Sequence, residues 1–320
     1  MARIFTSPPT SADLPFLAGD IVVSSNSLQT YTNSGWITSQ NDVVLPGTTY
    51  CVNSVTGSDA ANGLSWSTPL KTITAAVALA VAGDTILIKG SFIEAVTIAV
   101  AKTGLKIIGA GTNPDQAKWT GAADAVCLTI NATDVLVRNI KFTPPVYGSG
   151  TPAAILLGSA NYAKISGNRF QGTTGSYYAI YSPVCNSDNV EISDNEFIYM
   201  NTLTNGAAIL GVEAGGLSYS SWKILRNIFN SCVTAINING RVCTVAGNII
   251  QEYGITALGA VGVVLSCGID LSGTSSGSNA VTGNQLGGTF GSPLYIKAAS
   301  GDQWAGNLNV ISGGVTAANP

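Results

Sequence analysis

The 320-residue chain contains no histidine. That removes Ser-His-Asp and Cys-His catalysis, and the usual zinc sites, from consideration. Charge is scarce as well: 10% of residues are Asp, Glu, Lys or Arg, with a net charge of −3 and a pI near 4.9. Surface helices lean on charged residues, so a helix-rich fold is disfavoured. Without a basic footprint, nucleic acid is not an expected partner. No run of about 18 apolar residues occurs, so membrane insertion is not expected. The start MARIFTSPPTSADLPFLAGD lacks the apolar stretch of about 7–15 residues that a signal peptide needs, which points to assembly in a cytoplasm. Six cysteines (51, 127, 185, 232, 243, 267) never form a CxxC pair. Cys127 and Cys243 sit among apolar strand residues and read as buried, reduced thiols.

What is abundant is glycine, 37 residues of it, with many Ser, Thr and Asn. That composition suits short strands joined by polar turns. It also carries a repeat: KISGNRF (164–170), EISDNEF (191–197), KILRNIF (223–229), TVAGNII (244–250) and AVTGNQL (280–286) share one grammar. The large apolar residues Phe142, Phe170, Phe197, Phe229, Ile250 and Leu286 recur after 28, 27, 32, 21 and 36 residues. A coil of three short strands plus turns needs about 20–30 residues, so each heptad is the same strand met once per turn of a solenoid. Ile165, Ile192, Ile224 and Val245 are then inward-facing. Asn168, Asn195, Asn227, Asn248, Asn284 and Asn307 fall at the strand-to-turn junction, where their tolerance of the left-handed conformation suits a sharp bend. Stacked at each coil, their amides are expected to form a ladder. The two longest coils carry inserts near 200–216 and 252–275, where a solenoid places function.

Two further segments organise the chain. Ile73, Ala76, Val77, Ala80 and Val81 lie on one face of a helix over about 72–82, with Gly83 as its left-handed C-cap. Such a helix is suited to covering the open end of a solenoid. At the other end, residues 304–320 show no evident capping module. Residues 1–48 differ in composition, and GDIVVSSNSLQTYTNSGWITS predicts two or three short strands with turns at Ser25-Asn26 and Asn33-Ser34-Gly35.

Two resemblances rest on these residues. Asn62-Gly63, Trp66, Pro69, Thr72-Ile73, the run Gly83 to Ile86, Gly90, Glu94 to Ile98 and Leu105 to Gly109 resemble the opening of pectin-lyase-like right-handed parallel β-helices. Ser91-Phe92-Ile93 replaces the more usual Gly-x-Tyr. The resemblance implies an all-β solenoid of about ten coils over residues 49–320. That superfamily hosts lyases, hydrolases, isomerases and non-enzymes. The segment around 19–36 resembles hairpin units of bacteriophage tail-fibre and tailspike proteins. It implies that residues 1–48 form an adaptor for attachment to other virion proteins, and that the chain is a homotrimer.

Carboxylates are the remaining chemistry. The densest acidic patch is SDNVEISDNEF, with Asp188, Glu191, Asp194 and Glu196. Asp194 and Glu196 could reach the separation of roughly 5–9.5 Å that a glycosidase pair requires. Glu191, and Glu213 in the insert, are lesser candidates, and solvated turn charges are the plainer alternative. No cofactor or metal is expected, and GSDAANG (57–63) reads as a turn rather than a calcium loop. The aromatics Tyr177, Tyr181, Tyr199, Tyr219 and Trp222 surround the patch. They are candidate platforms for sugar rings or a partner, unless some of them, with Tyr178 and Trp222 foremost, fill the core or an interface.

The reading favours a non-enzymatic bacteriophage virion protein, a tailspike, tail fibre or related surface component. It would display a rigid prism to a host surface glycan or a neighbouring virion protein. A tailspike depolymerase using a carboxylate pair is the first alternative, and a capsid decoration or cement protein the second. An exported bacterial adhesin is disfavoured by the N-terminus.

Overall fold

The computed structural model describes residues 4–5, 21–24, 27–32, 35–38, 47–122, 124–146, 153–173, 176, 178–183, 186–200, 207–212, 219–252, 267–271, 276–288, 296–297, 301–311 and 314–317. The chain divides into two compact units, Met1–Pro46 and Gly47–Pro320. In the first, Ile21–Ser24 pairs antiparallel with Ser27–Thr32, which pairs antiparallel with Gly35–Thr38. The registers Ser24↔Ser27 and Thr32↔Gly35 leave two-residue connections at the two expected places.

The second unit is the expected right-handed parallel β-helix. Nine successive parallel pairings stack ten strands on a first face, from Thr49–Asn53 to Gln303–Ala305. A second face follows each of these strands after a bend, as Arg169–Gln171 follows Lys164–Ser166. A third face of eight strands runs from Val96–Ile98 to Ile296–Lys297. Alternation within each short strand sends one residue in and its neighbours out. Register then places like on like: Ile165, Ile192 and Ile224 on the first face, Ile155, Ile180, Ile209 and Ile236 on the third. All are fully buried.

The second face carries the aromatic column. Trp119, Phe142, Phe170, Phe197 and Phe229 stack with ring centroids 5.6, 5.2, 4.9 and 4.7 Å apart. Ile250 and Leu286 continue it. Trp119 was not part of the sequence repeat, because the heptad grammar begins only after it; its indole N–H donates to the Glu94 carbonyl at 2.9 Å.

The asparagine ladder forms, but not for the expected reason. The left-handed residue is the one before each asparagine: Gly167, Asp194, Arg226, Gly247, Gly283 and Gly306 have φ of 53–65°. That slot faces solvent, while the next side chain turns inward to satisfy backbone groups that the bend removes from the strand ladder. Asn195 Nδ2 donates to the Ile165 carbonyl at 2.8 Å and to Asn227 Oδ1 at 3.0 Å, and Asn227 Oδ1 also accepts the Asn195 backbone N–H. The same exchange links Asn168 to Asn195, Asn227 to Asn248, Asn248 to Asn284 and Asn284 to Asn307.

The helix spans Ile73–Leu79, shorter than the apolar periodicity predicts. Ile73, Ala76, Val77 and Ala80 are buried, whereas Val81 is exposed. Its end is set by Asp84, whose carboxylate accepts the N–H groups of Val81 (2.7 Å) and Thr48 (2.6 Å) and so draws the chain out of the helix. Gly83 is left-handed, as expected, but in the following turn rather than at the C-cap. At the N-terminus, Thr72 accepts from Ala75 N–H, and Glu94 accepts the N–H groups of Ile73 and Thr74. The Gly-Asp-Thr-Ile and Glu-x-Val-x-Ile motifs thus fasten the helix over the coil. At the far end, Gly314–Ala317 turns back antiparallel on Leu308–Ile311, a closing hairpin that residues 304–320 had not suggested.

Candidate functional site

The three acidic candidates occupy one coil and are held by cations of the coils on either side. Glu191 lies on the first face in register with Lys164, whose ammonium is 2.9 Å from its carboxylate. Glu196 lies on the second face in register with Arg169, at 2.6 Å. Asp194 occupies the left-handed corner slot and takes a two-pronged contact from Arg226, 2.8 Å for each prong. Hydrogen bonds from Lys164 and Ser193 hold the Glu191 carboxyl below its ordinary range, against the opposing effect of burial. The Arg226 hydrogen bond does the same for Asp194. A general acid needs the reverse shift, so Glu191 and Asp194 are placed as cross-coil ion pairs.

Two expected outcomes follow. Replacing Asp194 with glycine removes an exposed ion pair and about 1 kcal/mol of left-handed backbone strain together. Glycine already fills this slot in the coils of Gly167 and Gly247. Denaturant unfolding is therefore expected to change by less than about 1 kcal/mol, and a larger loss would show that the pair does more than bridge coils. The second outcome concerns acid. Asp115, whose carboxyl is lowered chiefly by Lys141, joins Glu191 and Asp194 as groups ionising below their unfolded values, which lie near 4. Their contribution is present above those values and is lost as pH falls through the lower folded ones. Thermal unfolding followed from neutral to acid pH should fall on the acid side, and the fall should be smaller at high salt.

The aromatic candidates separate. Trp222 is fully buried, with its indole N–H donating to the Ser187 carbonyl. It belongs to the core rather than to a binding platform. Like Val135, Ala163, Val190 and Cys243, it is the buried residue immediately before a first-face strand. Tyr181 sits on the third face and stacks on Tyr178 at 5.0 Å, both nearly buried, with Ala153 and Ala207 around them. Tyr199 is exposed at 47% and left-handed. Tyr219 lies in a strand paired with Gly240–Arg241. Tyr177 and Glu213 lie outside the described residues. Asp188 accepts the Ser220 N–H at 2.8 Å and ties two loops together. Asp59, in the 57–63 segment, accepts the backbone N–H groups of Lys71 and Thr72 at 2.9 Å, a turn as expected. Among the described residues, no group of three or more His, Cys, Asp or Glu is placed to hold a metal ion. Among the described residues, no helix is long and apolar enough to cross a membrane.

Chain topology singles out the third face. The bend between first and second faces is two residues at every coil of the ladder, as at Gly167-Asn168 and Asp194-Asn195. Among the coils of the ladder, the connections that vary in length lie on either side of the third face, such as 172–177, 199–206 and 253–266. Register on that face aligns Leu156, Tyr181, Leu210, Asn237 and Asp270 in one line, with Tyr181 buried and the other four half-buried. The line passes from apolar and aromatic to polar. Asp270 is half-buried there, a carboxylate that sequence reasoning missed, because a lone acid in SCGIDLSG gives no signal until register places it beside Asn237.

No family model matches this chain, and no curated protein matches it. Solved structures do. A GH136 lacto-N-biosidase from Eubacterium ramulus superimposes with a TM-score of 0.58 at 13% identity, over 82% of this chain and 56% of that one. An alginate lyase from Paenibacillus sp. FPU-7 gives 0.53 at 14%, over 82% and 97%. A pectin methylesterase from Aspergillus niger gives 0.51 at 14%, over 84% and 86%. The chain thus spans little more than half the length of the biosidase. At such identities the likeness is one of fold, the parallel β-helix.

Proposed function

We propose that the protein is a rigid, non-enzymatic display scaffold that binds a host surface glycan along its third face, as a tailspike-like component of a bacteriophage particle. The observation that carries the non-enzymatic part is the commitment of Glu191, Asp194 and Glu196 to cations of neighbouring coils. The glycan-binding part is supported by the variable connections that flank the third face in the ladder coils and by the half-buried polar neighbours Asn237 and Asp270 in register on it. The virion setting is supported by the hairpin resemblance around residues 19–36, and the homotrimer implied with it is directly measurable by light scattering. The solenoid suits display because each strand is fixed by two neighbours and a buried column, leaving little freedom to lose on binding.

A depolymerase is the second reading, favoured by Asp270, which lies partly exposed where a bound sugar would lie. Both are tested by incubating the purified protein with capsule or lipopolysaccharide from candidate hosts. Retained glycan without released reducing ends supports the scaffold. Release that disappears in Asp270→Asn supports the depolymerase. Release that disappears instead in Asp194→Asn/Glu196→Gln would overturn the structural assignment of those ion pairs.

A further inference from the structure

We propose that the N-terminal unit is completed between chains: one face of its four-stranded sheet is covered by the same face of a second copy. Ile4–Phe5 pairs parallel with Ile21–Ser24, and the sheet continues through Ser27–Thr32 to the edge strand Gly35–Thr38. Residues directly opposite each other share a face, and successive residues along a strand alternate between faces. The register therefore puts Ile4, Ile21, Thr30 and Ile37 in one row across all four strands, with Val23 and Leu28 in the next row of the same face. Thr32 and Gly35 complete that face, so five of its eight positions are aliphatic. Phe5, Val22, Gln29, Tyr31, Trp36 and Thr38 belong to the opposite face.

An isolated sheet is stable in water only when a face is buried against a second layer. Among the described residues the unit supplies no such layer, since its elements are these four strands. Charge indicates what does. The sixteen strand residues include no Asp, Glu, Lys or Arg, so a partner of definite charge finds no counterpart on them. Edge strands left in water are commonly guarded by Lys or Pro, and Gly35–Thr38 has neither. In an isologous contact each patch meets its own copy, and any charge on it is set near its like. The aliphatic face, completed by two threonines and a glycine, meets its copy without that conflict. Two such sheets form a two-layer sandwich, with about 10 Å between layers filled from both. Each face is small, four strands about 4.8 Å apart and at most six residues long, which is below the usual interface size. Association is therefore expected to depend on concentration. It uses no residue of the third face, so it stands or falls apart from glycan binding.

The test is light scattering of the full chain over a concentration series, with amide hydrogen exchange followed in the same samples. The expected result is a mass above that of one copy, falling toward one on dilution, while the amides of Ile21–Ser24 and Ser27–Thr32 lose protection in step. Ile21→Glu/Ile37→Glu should reduce the particle to one copy at every concentration. Ile21→Thr/Ile37→Thr keeps strand-forming residues should the charged pair unfold the sheet, and should move the midpoint of association to about tenfold higher concentration. Gln29→Glu/Thr38→Lys, on the opposite face, should leave the midpoint unchanged. A single copy of the unaltered chain at every concentration overturns the proposal, and protected strands in that case would mean that the chain covers its own sheet. A mass that neither Ile21/Ile37 variant changes places the contact elsewhere on the chain and overturns it too, as does loss of association in the opposite-face variant.

Discussion

Replacing Asn227 with alanine is expected to lower the unfolding free energy by about 3–5 kcal/mol. Its amide makes four contacts within the interior: Nδ2 donates to the Ile192 carbonyl at 2.9 Å and to Asn248 Oδ1 at 3.1 Å, and Oδ1 accepts the Asn195 backbone N–H and Nδ2, each at 3.0 Å. Truncation leaves the Asn195 N–H and the Ile192 carbonyl without these partners, at about 1–3 kcal/mol each. Aspartate should be no remedy, because it cannot donate to either acceptor and buries a charge. A solenoid transmits such a defect only to its neighbours. Limited proteolysis should therefore cut near the coils at 195 and 248 before the ends of the prism, alongside the lower denaturation midpoint. A midpoint unchanged within about 1 kcal/mol would mean that the ladder is ornament on strands that hold themselves.

Phe197→Ala is expected to cost a similar amount, about 3–5 kcal/mol, by opening a cavity in the aromatic column. Its ring lies 4.9 Å from Phe170 and 4.7 Å from Phe229, with planes within 5° of both. Strand spacing fixes those separations, so the neighbours cannot close the gap without breaking register. Phe197→Leu should be tolerated far better, at about 1.5 kcal/mol or less. The same slot already holds Ile250 and Leu286 two and three coils further on. Calorimetry of the two variants separates cavity from mere loss of aromaticity: equal losses would assign the effect to ring stacking.

The repeat was legible because a parallel solenoid asks the same thing of each coil. Ile165, Ile192 and Ile224 are spaced in the sequence as they are stacked in space. The left-handed slot was misassigned to asparagine although its mark was visible: Gly, Asp or Arg precedes every ladder residue. Asparagine's own liking for positive φ made the wrong residue plausible, and only the direction of each side chain separates the two. Helix length was overestimated because Val81 continues the apolar period, while the hydrogen bond from its N–H to Asp84 that breaks the helix is not periodic at all. Trp222, with Tyr178, was the aromatic for which the core was an open alternative, and both are buried, whereas Asp270 could not be placed from sequence. Whether a residue near a connection points in or out depends on the loop's path, and loops of changing length carry no common frame. The ion pairs of Glu191, Asp194 and Glu196 span 27 to 32 residues, joining heptads whose register had first to be known.

The two-residue corner makes each coil an interchangeable part. Every rung presents the same donor and acceptor to the rung beside it, so a rung does not encode which neighbour it meets. Excising residues 195–226 would bring Asp194 directly before Asn227, and the sequence across the joint would still read as a ladder corner. The prism would be shorter by one step of about 4.8 Å, with Glu191 still beside Lys164, Thr244 newly beside Glu191, and Ile228 newly beside Arg169. Length in this protein is therefore quantised, and can be changed by whole coils, whereas the connections flanking the third face can lengthen one residue at a time. The number of coils and the size of the connections are thus set by separate parts of the same chain.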